Sequence, residues 1–114
     1  MSLDRPTPGQ APIALERIAK AWGLDRYDIL ALIRASEREL SDVVWTEDKL
    51  VRVAYLIGLE TALIKLAPKF GIPHWVVTPK PGPFFEGSSP LQMMKGTTRD
   101  LAELLRQIGR WRVN

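Results

Sequence analysis

Apolar side chains recur every three or four residues along most of the chain, a pattern typical of amphipathic α-helices. The first stripe covers residues 13–22 and is followed by Gly23, a residue that commonly ends helices. A second stripe covers residues 26–34, after Asp25, whose carboxylate can accept the free N–H groups of a first helical turn. A third, shorter helix is expected over residues 36–44.

The longest apolar pattern predicts one helix over residues 46–67. Thr46 can cap it, and Glu47 and Asp48 favour the positive end of a helix dipole. Its apolar residues cover almost every side, as they do in helices at the centre of a core or in an oligomer interface. We therefore expect this helix to be central to the fold and the chain to form a homodimer.

Prolines interrupt the following segment, residues 68–90, and exclude both a long helix and a central strand there. The segment still contains a tryptophan and three phenylalanines, so we expect it to pack on the core. Ser89 followed by Pro90 is typical of a helix start, and a last amphipathic stripe covers residues 98–111. Since no strand pattern is convincing, the predicted fold class is all-α.

Four parts are predicted along the chain. Residues 1–12 form a disordered lead, residues 13–45 a helix-turn-helix-like bundle, residues 46–67 the long central helix, and residues 68–114 a C-terminal loop-plus-helix part. The last part is also the basic one, with seven Lys or Arg residues against three Asp or Glu residues. The net positive charge of the chain therefore lies towards the C-terminus.

Composition excludes several kinds of chemistry. The 114 residues include no cysteine, which excludes disulfides, thiolate metal sites and a cysteine nucleophile. The single histidine, His74, has no nucleophile motif near it, and no phosphate-binding glycine loop is present. We therefore expect no enzyme, no metal and no other cofactor. No apolar run reaches about 18 residues, and the polar lead has no signal-peptide core, so we expect a cytoplasmic protein without a membrane span.

The N-terminal helices allow two helix-turn-helix registers, in which either residues 26–34 or residues 36–44 form the helix that contacts DNA. The residues that DNA binding would use are Arg26, Arg34, Ser36, Arg38 and Ser41. The second register places more acidic than basic residues on its contacting helix, although phosphate contacts dominate DNA affinity. A three-helix packing unit that does not bind DNA is therefore an open alternative.

The last predicted helix leads into Arg110, Trp111 and Arg112. A tryptophan between two arginines has the composition of a binding hot spot. The alternative is a tryptophan that folds back on the core and leaves the arginines in solvent. We favour binding.

Five motifs follow one another over residues 13–111. They are Lys20-Ala21-Trp22-Gly23-Leu24, Leu56-Ile57-Gly58-Leu59-Glu60-Thr61-Ala62-Leu63, Trp75 with its two valines, Pro79-Lys80-Pro81-Gly82-Pro83-Phe84-Phe85, and Gly87-Ser88-Ser89-Pro90-Leu91-Gln92-Met93-Met94. Their order and spacing resemble those of the Xre/MbcA/ParS-like antitoxins of bacterial type II toxin–antitoxin systems. The last motif is similar to the family's Gly-x-x-Pro-Leu turn into a helix.

The resemblance implies an antitoxin whose N-terminal helices bind operator DNA and dimerise and whose C-terminal part neutralises a cognate toxin. Toxins of this family often carry a RES domain and consume NAD⁺, and the antitoxin covers the entrance to their active site with its C-terminal helix and tail. The residues that toxin binding would use are Trp75, Phe84, Phe85, Gly87, Pro90, Leu91, Arg106, Arg110, Trp111 and Arg112.

Two other functions stay open at this point. One is a helix-turn-helix transcriptional regulator, which acts alone or represses its own operon. The other is a protein that binds an apolar ligand in a pocket lined by Trp75, Phe84 and Phe85.

Overall fold

A computed structural model describes residues 5–39, 42–66 and 71–111 of the chain. Within these ranges it contains no β-strand, and the all-α prediction is confirmed. The elements are α1 (Ala11–Trp22), α2 (Arg26–Leu32), a 3₁₀ turn (Glu37–Glu39), α3 (Glu47–Leu66), α4 (Ile72–Val77), α5 (Pro90–Met94) and α6 (Thr98–Trp111). No helix in this described part is long and apolar enough to cross a membrane.

Local capping chemistry sets several helix boundaries. α1 ends at Gly23, whose left-handed φ of 69° costs glycine no steric strain. The Asp25 carboxylate accepts the Asp28 N–H at 2.8 Å, and the Asp28 carboxylate accepts the Asp25 N–H at 3.2 Å, a reciprocal capping box. Ser89 and Gln92 cap α5 in the same way. These boundaries lie where the sequence predicted them.

The helix predicted over residues 36–44 is wrong, because the described part of this segment contains only the 3₁₀ turn. The Glu39 carboxylate accepts the Ser36 N–H at 2.9 Å and the Val44 N–H at 3.1 Å. It also accepts from Lys49 Nζ at 2.5 Å. The hydrogen bond from Lys49, followed by those from the two backbone N–H groups, lowers the pKa of Glu39 to about 2. One side chain thus satisfies backbone groups that a helix would otherwise pair.

Two segments that the sequence assigned to irregular structure are partly ordered. Residues 5–12 belong to the segment predicted as a disordered lead. Thr7 and Gln10 exchange hydrogen bonds across a turn, and the next two residues, Ala11 and Pro12, already belong to α1. The proline-rich segment contains the short helix α4. Pro73 fits there because it occupies the first helical turn, where N–H groups have no intrahelical acceptor. α4 contributes the fully buried Val76 to the core.

α3 is the centre of the packing, since it contacts both α1 and α6. Its residues Leu56, Leu59 and Leu63 are buried in a cluster that also contains residues of α1, α4, α5 and α6. Further contacts are those of α4 with α1, of α5 with α4 and α6, and of α2 with the 3₁₀ turn. Most apolar residues of α3 are buried against other helices of the same chain, so they need no second copy to cover them. The homodimer therefore stays a prediction.

Candidate protein-binding surface

α6 separates its apolar and basic residues onto opposite faces. Its fully buried residues are Leu101, Leu104 and Ile108. Three arginines are exposed on the other side: Arg99, Arg106 and Arg110. Their intervals of seven and four residues align them on a helix with 3.6 residues per turn, and at 1.5 Å per residue the line is about 16 Å long. We call these three residues the arginine face.

The arginine face has an excess of positive charge. Arg106 forms an ion pair with Glu103, which lies one turn earlier on the same side of α6. Arg99 and Arg110 form no ion pair with any residue in the described ranges. An exposed ion pair contributes only about 0–1 kcal/mol, so Arg106 can exchange Glu103 for a partner's carboxylate at low cost.

The beginning of α6 is fixed to the rest of the fold. The Thr97 N–H donates to the Asp100 carboxylate at 2.9 Å, and the Asp100 N–H donates to Thr97 Oγ1 at 3.1 Å. The Thr98 hydroxyl donates at 2.8 Å to Asp48, in the first turn of α3. A capped start and a buried apolar face hold the arginine face in one orientation, which lowers the entropy cost of binding.

The proline-rich loop between α4 and α5 is closed by two backbone hydrogen bonds. The Lys80 N–H donates to the Ser88 C=O at 3.1 Å, and the Gly87 N–H donates to the Lys80 C=O at 3.0 Å. The Lys80 ammonium nitrogen lies 5.2 Å from the centroid of the Trp75 ring, within the range of a cation–π interaction. The loop therefore holds Trp75, Lys80 and the exposed Gly87 as one ordered unit.

The apolar residues predicted to bind a toxin differ in burial. Phe85 and Leu91 are 7% and 8% exposed, and Pro90 is also buried. Phe84 packs edge-on against Phe85, with ring centroids 5.0 Å apart, and stays partly exposed, as does Trp75. Trp75 and Phe84 therefore keep part of their surface exposed to solvent, whereas the three buried residues hold the loop on the core.

The loop and the arginine face belong to one packed unit, because α5 contacts both α4 and α6. The side chain of Trp111 and the whole of Arg112 lie outside the described residues, so their roles stay predictions. The sequence interpretation did not include Arg99. Its seven-residue interval from Arg106, which is two helical turns to within about 20° of arc, is the signal that identifies it.

The residues predicted to bind DNA do not share a helix. Those in the described part are all exposed: Arg26, Arg34, Ser36 and Arg38. Arg26 begins α2, whereas Arg34 follows α2 with a left-handed φ of 57°. Ser41 lies outside the described residues. DNA binding stays a prediction, and the described residues of 36–44 form no α-helix that could contact DNA.

The remaining candidates are a metal site and a pocket for an apolar ligand. No three His, Asp or Glu side chains of residues 5–39, 42–66 and 71–111 gather as metal ligands. The apolar-ligand hypothesis stays a prediction. Comparison with protein families, curated proteins and solved structures finds no match to this chain. The geometry of the arginine face and the ordered loop therefore carries the functional argument, together with the motif order in the sequence.

Proposed function

We propose that this chain is a non-catalytic antitoxin that binds a protein toxin and covers its active site. The arginine face is the observation that carries the proposal. Arg106 and Arg110 are four residues apart, a spacing at which like charges destabilise a helix. The helix dipole favours Arg110 in the last turn of α6 but disfavours Arg99 in its first turn, so helix stability does not account for the alignment of the three arginines, and binding does.

The proposed interface combines charged and apolar contacts. Guanidinium groups bind carboxylates in a bidentate geometry, so the arginine face pairs with acidic residues of the toxin. Trp75 and Phe84 supply partly exposed aromatic anchors, and aromatic residues and arginine are the residues that most often dominate binding energy. The motif order that resembles Xre/MbcA/ParS-like antitoxins supports a RES-type, NAD⁺-consuming toxin and a cytoplasmic location.

Co-expression with the product of the neighbouring open reading frame tests the function directly, with growth of the host as the readout. We expect the neighbour alone to arrest growth and the pair to grow normally. Growth arrest that this chain does not relieve contradicts the proposal, and so does a neighbour without toxicity.

Charge reversal tests the interface. Converting the arginine face to glutamates should weaken toxin binding about 100-fold, since each reversal replaces an attraction by a repulsion of roughly 1 kcal/mol. A control variant makes the same change in net charge at three other exposed cations: Lys20→Glu, Arg26→Glu and Arg38→Glu. Deletion of residues 106–114 should also abolish neutralisation. Equal affinities of the two triple variants would exclude the arginine face as the interface.

A further inference from the structure

A groove of about 850 Å³ runs between α3 and α6, and we call it the α3–α6 groove. Small and apolar residues form most of its lining: Val51, Ala54, Gly58, Ala62, Leu105 and Gly109. The lining positions of α3 recur every three or four residues from Val51 to Lys65, so they occupy one side of the helix over about 21 Å, or four turns. The groove therefore has the length and the surface of a site for one additional helix.

The charged residues that line the groove are all basic. They are Arg5, Lys65 and Arg106, and no carboxylate is among the described lining residues. Arg5 forms an ion pair with Glu47 and Arg106 with Glu103, whereas Lys65 has no ion pair with any described residue. Arg106 also belongs to the arginine face, so the positive charge continues from the groove onto the outer side of α6.

The distribution of these charges identifies the kind of occupant. Arg5 lies at the beginning of α3, beside Glu47, and Lys65 lies near its end. Two copies of this chain that pair parallel through their grooves would place Lys65 against Lys65, and two copies that pair antiparallel would place Lys65 beside the ion pair that Arg5 already forms with Glu47. The first arrangement is repulsive and the second gives Lys65 no unpaired carboxylate, so a second copy fits the charges of the groove less well than an acidic partner.

We infer that the α3–α6 groove binds an acidic amphipathic helix of a partner protein. The apolar side of that helix, with small or medium side chains, would lie against Ala54, Gly58 and Ala62, where the absence of long side chains lets two helix backbones approach closely. Glutamates or aspartates at its flanks would meet Lys65 and Arg106. This site is defined by its own geometry and does not require the partner to be a toxin.

Two designed 16-residue peptides test the charge requirement. Both carry the same alanine and leucine apolar face, and they differ only in flanks of glutamate or of lysine. We expect the glutamate peptide to bind the full chain at least tenfold more tightly by fluorescence anisotropy at low salt. Binding of neither peptide, or equal binding of both, would overturn the inference.

Two variants locate the binding site. Lys65→Glu changes an exposed residue and leaves the core intact. It should lower the affinity for the glutamate peptide at least fivefold and raise the affinity for the lysine peptide. Lys20→Glu on α1 makes the same change in charge outside the groove and should alter neither. Gly58→Leu fills the groove and should lower the affinity for the glutamate peptide tenfold. If Lys65→Glu and Lys20→Glu behave alike, the peptide binds elsewhere and the inference fails.

Light scattering tests whether a second copy of the chain occupies the groove. A dimer of the native chain that Gly58→Leu converts to a monomer would show that a second copy fills the groove, and it would overturn the inference. The outcome is separable from that of the proposed function, because Lys65 lies outside the arginine face and the peptides replace the toxin. Failure of toxin neutralisation with intact peptide binding would reject the antitoxin alone.

Discussion

Replacement of Arg52 tests the main polar interaction of the core. Arg52 is fully buried in α3 and forms no ion pair with the described residues. Its Nε donates to the Leu32 C=O at 2.6 Å, its Nη2 to the Met94 C=O at 2.8 Å, and its Nη1 to the Thr98 hydroxyl at 3.2 Å. Leu32 and Met94 are the last residues of α2 and α5, so one guanidinium caps two helix C-termini with positive charge.

The expected loss on Arg52→Met is about 3 kcal/mol of unfolding free energy. Methionine fills much of the volume, but two carbonyls lose their donors, and each buried unsatisfied carbonyl costs about 1–3 kcal/mol. Burial partly desolvates the charged guanidinium of Arg52 and lowers its pKa. Arg52→Met also removes the cost of desolvating that charge, which offsets part of the loss in unfolding free energy. The remainder is large beside a total stability of about 5–15 kcal/mol for a typical domain.

Urea unfolding followed by circular dichroism measures this difference. With an m-value of about 1.5 kcal/mol/M, the unfolding midpoint of Arg52→Met should fall by about 2 M. Arg26→Met removes an exposed arginine and should move the midpoint by less than about 0.4 M, as surface substitutions usually do. If Arg52→Met were as stable as the native chain, desolvation of the guanidinium would outweigh its hydrogen bonds, and the capping argument would be refuted.

Three further predictions concern single features. The lowered pKa of Glu39, about 2 against an ordinary 4.5, means that its stabilising effect is complete above about pH 5 and is lost as the pH falls towards 2. Glu39→Gln should therefore flatten that acid limb of the stability curve, and an unchanged limb would contradict the role of this carboxylate. Gly23→Ala should cost about 1 kcal/mol in urea unfolding because φ is +69°, whereas Gly9→Ala should be nearly neutral; equal costs would argue against backbone strain. DNA from upstream of the coding sequence should show no mobility shift at low salt, since the described residues of 36–44 form only a 3₁₀ turn; a specific shift would restore the regulator hypothesis.

Helix boundaries were predictable where the controlling interaction is local. Asp25 and Ser89 cap helices through residues three positions later, and Gly23 ends α1 through its own φ, so each signal lies within a few residues of its effect. The segment at 36–44 differs because Glu39 is paired with Lys49, ten residues away in α3. A pattern of apolar spacing does not contain that pairing.

The role of Arg52 could not be predicted for a related reason. It stands between two valines in the apolar run of α3, and its acceptors are backbone carbonyls 20 and 42 residues away in the sequence. Every residue has a backbone carbonyl group, so the sequence does not indicate which carbonyls will accept a hydrogen bond from Arg52. Only the packing of α2 and α5 around α3 brings them within hydrogen-bond distance.

The candidate surface was predictable in its charge and not in its shape. The C-terminal excess of Lys and Arg was evident, and Arg106 and Arg110 were among the residues that the family resemblance implies for toxin binding. The separation of partly exposed Trp75 and Phe84 from the buried Phe85 depends on how the loop closes at Lys80. The α3–α6 groove requires the pairing of two helices that lie more than 30 residues apart in the chain.

Arg106 joins the two proposed binding surfaces, because it belongs to the arginine face and also lines the α3–α6 groove. A protein interface of standard size covers about 800 Å² on each partner, a patch roughly 30 Å across, whereas a helix with its side chains is about 10–12 Å wide. A partner of that size seated in the groove therefore also covers the arginine face. If one partner uses both surfaces, charge reversals at Lys65 and at Arg99 should each weaken the same complex, and their effects should add, since exposed residues on different helices share no contact. If two partners use them, each reversal should weaken only one complex.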